Sequence, residues 1–126
     1  METLNAIIES MNFGTTEGYL TMSLQLNYGN DSCQKFGGFC LYSPSSKKQF
    51  NATGLFLYRV LEVAGVDDIK DLIGKPIRVG KENGFYGGIV EIGHVVNDVW
   101  FNPKKEFEKL RQEQAEGDKD DKRTVD

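Results

Sequence analysis

The 126-residue chain contains one histidine, two cysteines, three prolines and one tryptophan. Each scarcity excludes something. One His and two Cys cannot supply the four ligands of a structural zinc site, and there is no ordered Asp/Glu loop for a hard cation, so no metal is expected. Cys33 and Cys40 stand seven apart on one candidate strand, an odd spacing that points them to opposite faces, and both are expected as reduced thiols. No apolar run approaches the ~18 residues of a membrane helix. Met1-Glu2-Thr3-Leu4-Asn5 lacks the basic region and long apolar stretch of a secretory signal. The expected compartment is therefore the cytoplasm, with no membrane among the partners. Fifteen Lys+Arg against 19 Asp+Glu leave a net charge of -4, which argues against a broad cationic surface for duplex DNA. Residues 116–126 hold five acids and three bases, so about half of that charge lies in the tail and a local cationic pocket remains possible in the body.

What is present reads as one domain over 1–116 with a charged tail at 117–126 that is expected to be disordered. Residues 4–13 read as a first strand, closed by the turn-rich segment 14–18. Next, Leu20, Met22, Leu24 and Leu26 alternate with Tyr19, Thr21, Ser23, Gln25 and Asn27, the period of a strand with one buried and one wetter face. A third strand spans 34–42, and its Gly37-Gly38 pair marks either a bulge or the approach of a ligand. After the polar loop 43–50, Asn51 is placed to cap a helix to Ala64, with Leu57, Leu61 and Ala64 on one face and Gly65 as the terminating residue. Asp67 to Ile73 suggests a short helical turn. Residues 75–81 read as a strand, Asn83-Gly84 as a hairpin turn and 85–96 as a longer returning strand bent by its glycines. Asn102 then caps a last helix with Pro103 in its first position and Phe107, Leu110 and Gln114 on one stripe. The order βββ-α-turn-ββ-α predicts an α+β fold: an antiparallel sheet of about five strands, one packed central helix and a C-terminal helix.

Catalytic chemistry is weakly represented. His94 has Glu91 and Asp98 near it in sequence, but no nucleophile completes a motif, and Gly74-Lys75 lacks the upstream glycine of a phosphate-binding loop. A non-enzyme without cofactor is expected. Binding chemistry is richer. Arg78 to Gly88 interleaves cations, the adjacent aromatics Phe85 and Tyr86, and glycines; Asn97, Asp98, Trp100 and Phe101 then lead into a helix that carries Arg111. Arg78 and Arg111 suit phosphates, Phe85, Tyr86 and Trp100 suit stacking, and Asn97 and Asp98 suit a base edge or ribose hydroxyl. His94 is an outside candidate. Taken singly, each of these is more often a core aromatic or a solvated cation. Together they favour a small nucleotide-like ligand.

Several blocks resemble small phage and prophage proteins: Phe36-Gly37-Gly38-Phe39, Leu57 to Val66, Gly74 to Val79, and Ile92-Gly93-His94 through Asn102-Pro103. Within these, the chain resembles the Thoeris anti-defence family, whose members act as sponges for cyclic ADP-ribose-type signals; the similar blocks span roughly residues 33–107. The resemblance implies a homo-oligomer, at least a dimer, that binds a cyclised ADP-ribose isomer without cleaving it. Two other readings stay open: a protein-binding inhibitor of a host defence nuclease complex, and a nucleic-acid-binding module.

Overall fold

The computed structural model describes residues 1–46, 50–84 and 86–125, with backbone alone over 117–125. Six strands, β1 (Glu2–Thr16), β2 (Tyr19–Gly29), β3 (Ser32–Gly37), β4 (Pro76–Lys81), β5 (Ile89–Gly93) and β6 (Trp100–Phe101), form one antiparallel sheet in the order β3-β2-β1-β4-β5-β6. Helix α1 (Thr53–Ala64) links β3 to β4 by way of a short 3-10 turn at Ile69–Asp71, and helix α2 (Pro103–Val125) follows β6. The fold is α+β as expected, with Trp100–Phe101 as an additional short strand. The expectation of a disordered tail at 117–126 concerns residues whose side chains lie outside the described set.

β1 organises the sheet by pairing on both sides. Glu2 to Ile7 run against β4, and Ile7 to Thr16 against β2. The register slips between Ile8 and Ser10, so Glu9 is a bulge. That extra residue resets the alternation: Ala6, Ile8 and then Met11 all turn to the helix side, which blurs the period-two pattern of the segment and lets the strand bend. Both hairpins of the meander close with two residues at positive φ, Glu17-Gly18 (49° and 84°) and Asn30-Asp31 (53° and 61°), the turn whose twist matches the strands. A three-stranded meander, a helix and a hairpin, with β1 paired on both sides, resembles the connectivity of OB-type barrels, here opened beside β3 and extended by β6.

The core lies between the sheet and the two helices. Met22, Leu24, Leu26, Ile77, Val79 and Ile92 are buried from the strands, and Phe56, Val60 and Val63 from α1. The buried stripe of α1 is thus 56, 60 and 63, with Leu57, Leu61 and Ala64 only half-buried at its flank, a shift from the expected face. Gly65 terminates the helix in the left-handed region at φ 71°, as expected. The N-cap is Ala52, one residue later than expected; Asn51 still contributes, accepting the Thr53 N–H on Oδ1 at 3.0 Å. α2 starts as the sequence indicates. Asn102 Oδ1 accepts the Lys105 N–H, and Glu106 Oε2 reaches back to the Asn102 N–H. On the same helix Gln114 grips both the N–H and the carbonyl of Asn51, while Phe107 stacks edge-on to Phe39 and Phe50.

Two expected strands are shorter than their sequences suggest. The third strand ends at Gly37 because the chain kinks through two glycines at φ 101° and 86°. A Cβ on Gly37 would lie 2.5 Å from the Met22 carbonyl oxygen, so the pair is a bulge pressed on backbone. The returning strand is confined to Ile89–Gly93, and Asn83-Gly84 is not a two-residue turn. Instead the Glu82 N–H bonds the Gly88 carbonyl across a wider loop, in which a Cβ on Gly87 would fall 2.0 Å from the Glu82 carbonyl oxygen. Cys33 and Cys40 are both exposed free thiols. No helix among the described residues is long and apolar enough to cross a membrane.

Candidate functional site

The residues singled out from sequence fall in three places. Phe85 lies outside the described residues. Arg78, Asn97 and Trp100 come together on the sheet face away from the helices, with Asp98 next to Asn97 in the same loop, Arg111 sits on α2, and Tyr86 belongs to the β4–β5 loop.

In the first group the register builds a row across four strands, Asn5, Arg78, Gly93 and Trp100. The indole lies on Gly93, where a Cβ would meet the ring at 2.5 Å, and the Arg78 guanidinium packs over it at 4.7 Å. Arg78 Nε donates to the His94 carbonyl at 2.6 Å and Nη2 to the Asn97 carbonyl at 2.8 Å. His94 Nδ1 accepts the Val96 and Asn97 N–H groups at 3.1 and 2.9 Å, which leaves the ring hydrogen on Nε2. The group therefore holds its own loop in shape. Arg78 has spent part of its donor fork on backbone, and the Trp100 ring already carries a cation. Arg111 likewise caps a ring of its own chain, 4.6 Å above Phe50, on the helical layer.

A different arrangement lies at the end of the sheet where β1 begins. Along β4 the buried phase is Ile77, Val79 and then Lys81, so the alternation that fills the core delivers a lysine into it. Lys81 is 6% exposed. Its Nζ donates to the Gly84 carbonyl at 3.1 Å, and among the described residues no carboxylate lies within ion-pair distance of it. Lys81 lines a cleft of about 560 Å3 together with Glu2, Tyr28, Cys33, Gln34 and Tyr86. That volume is in the range of small-molecule sites, about 300–1,000 Å3.

The cleft is tied in place from three strands. Glu2 Oε1 accepts the Gly84 N–H at 3.1 Å, Gln34 Nε2 donates to the Gly87 carbonyl at 2.9 Å, and the Tyr28 hydroxyl donates to Gln34 Oε1 at 2.7 Å. Burial raises the Tyr28 pKa, so its phenol stays a neutral donor. Tyr86 stands at the rim, 94% exposed. Cys33 Sγ donates to Glu9 Oε2 at 3.3 Å, and this hydrogen bond, with the Glu9 charge beside it, raises the thiol's pKa.

Sequence reasoning counted Lys81 among the cations of residues 78–88 but left it out of the site, although the signal for its burial was legible: in a strand whose residues 77 and 79 are aliphatic, residue 81 shares their face. Arg59 was passed over too, being one cation among the apolar residues of α1. It donates from Nε to Glu106 Oε1 at 2.9 Å, from Nη1 to Glu62 and from Nη2 to the Trp100 carbonyl, joining α1, β6 and α2. No family model, curated protein or solved structure matches the chain.

Proposed function

We propose that the protein binds a small nucleotide signal of the cyclic ADP-ribose class in the Lys81 cleft and holds it uncleaved. In a host cell this would withdraw the signal from its immune effector, as a phage or prophage counter-defence sponge does. The observation that carries the reading is the ammonium of Lys81. A buried ammonium is favourable only when its donors are paired, and the Gly84 carbonyl answers one of the three. A phosphate or pyrophosphate oxygen entering the cleft would supply the missing charge. Tyr86 at the rim offers a stacking face for a base, and the Glu2 carboxylate an acceptor for a ribose hydroxyl. Of the groups at the cleft, the Cys33 thiol has its pKa raised by its hydrogen bond to Glu9, which makes it a poorer nucleophile and is in keeping with retention of the ligand.

A thermal-shift screen across cyclic ADP-ribose isomers and cyclic dinucleotides tests this. Ligand at 100 times its Kd should stabilise the fold by about 2.7 kcal/mol, raising Tm by roughly 10 °C. Lys81→Met should abolish the shift, whereas Arg78→Ala combined with Arg111→Ala should leave most of it. Ligand released by heat should be chemically unchanged. Absence of a shift with every nucleotide at saturation overturns the proposal. The OB-like connectivity favours a second reading, binding of single-stranded nucleic acid, by analogy of fold alone. An oligonucleotide arm separates the two, since that mode would weaken steeply with salt and engage several exposed cations instead of one buried lysine.

A further inference from the structure

We infer that two copies of the chain join through the free edge of β1, pairing antiparallel about a two-fold axis at Asn12. β4 covers one side of β1 only as far as Ile7, with the Lys75 carbonyl and Gly74 N–H extending the pairing to Ile8. Among the described residues, the strand from Ser10 to Thr16 is paired to β2 alone. That leaves seven residues, roughly 24 Å of strand, with one row of backbone donors and acceptors turned outward. All of them are exposed except Met11, which is half-buried.

Sheet edges are ordinarily guarded by charge, proline, brevity or a bulge. The other edges of this sheet follow that rule: β3 carries Lys35 and ends in the glycine kink, and β6 is two residues long. The stretch Ser10-Met11-Asn12-Phe13-Gly14-Thr15-Thr16 has neither charge nor proline, and the Glu9 bulge lies before it. It is an unguarded template.

The occupant follows from the sequence of the edge itself. A two-fold axis at Asn12 sets Met11 opposite Phe13 twice, on the side of the sheet where their partners Leu24 and Met22 are buried. Phe13, 42% exposed in one chain, thereby gains an apolar neighbour. Asn12 faces Asn12, Ser10 faces Gly14, and Glu9 faces Thr15, so no like charges are opposed. An axis one residue further on would set Glu9 against Glu17. The contact is self-complementary, as closed two-fold assemblies require.

Light scattering of the full chain should give twice the 14.2 kDa mass of one copy. Asn12→Lys and Asn12→Glu each place like charges opposite one another at the axis and should be monomeric, while an equal mixture of the two should recover the dimer. Tyr58→Lys, on the exposed side of α1, should leave the dimer intact. Amide exchange provides a measurement on the unaltered chain: protection over residues 10–15 should fall on dilution. A monomeric native chain, a dimer that survives Asn12→Lys, or exchange over 10–15 that is independent of concentration would each overturn the inference.

Discussion

Two cations are drawn into the body of this protein and matched in opposite ways. Arg59, its side chain 19% exposed, meets the carboxylates of Glu62 and Glu106, the Trp100 carbonyl and the face of Phe101 at 5.6 Å. Lys81, 6% exposed, meets one carbonyl among the described residues. Burial disfavours the Arg59 cation, but hydrogen bonds and charge from Glu106 and Glu62 outweigh it, and the pKa is raised. A cation answered on every side by its own chain serves the fold; one left largely unanswered at the wall of a cleft is complete only when something else arrives. The two ends of the sheet divide accordingly. The end under α1 and α2 is closed by Phe36, Phe56, Phe101 and Phe107 with Arg59 as their rivet, and the end near Glu2 is open.

The contrast breaks if the two cations respond alike to removal. Arg59→Met should be the more damaging, by about 2–3 kcal/mol, because it strands the half-buried Glu106 and unpins α2 from β6; the cost sits below that of a fully buried pair since both partners touch solvent. Urea denaturation would show a lower midpoint, and a heat scan a Tm lower by roughly 10 °C. Lys81→Met keeps the aliphatic stem and removes the unmatched charge, so stability should change by about 1 kcal/mol or less, with an increase the expected direction. A large loss from Lys81→Met, equal to that of Arg59→Met, would make Lys81 a structural cation as well.

The same distinction explains what could be read from the sequence. The α+β class, the meander, both helices, the Gly65 terminus and the Asn102 cap were legible because each rests on local chemistry: alternation, a cap, a glycine that tolerates positive φ. The Arg78 and Trp100 pairing was legible as composition but not as role, since only the cross-strand row shows that Gly93 makes room for the indole and that Arg78 is committed to the 94–97 loop. The bulge at Glu9 hid the true length of β1 by changing its phase midway. The role of Arg59 was missed because Glu106 and Trp100 lie on other elements, at separations that periodicity does not reach; Lys81 shares the buried phase of β4, but periodicity does not show that among the described residues no carboxylate comes within ion-pair distance of it.

Cys33 offers the finest test of the open end, because it borders the same cleft as Lys81 and reports on it without entering the core. Its thiol donates to Glu9, and that bond, with the carboxylate's charge behind it, holds the pKa above the ordinary thiol value. Alkylation proceeds through the thiolate, so Cys33 should react with iodoacetamide more slowly near pH 8 than its exposed position suggests, and its rate should keep climbing at pH values where an ordinary thiol has levelled off. Glu9→Gln removes the charge and should bring the profile back toward lower pH. Mass spectrometry of the Cys33 peptide along a time course measures both. A phosphate-bearing ligand seated on Lys81 places further negative charge beside this thiol and should slow its alkylation again, an effect that Lys81→Met would remove. Protection of Cys33 that persists in the Lys81→Met chain would mean that the ligand is held without the lysine, and Lys81 would then be an unfilled gap in the pairing of the fold instead of part of a site.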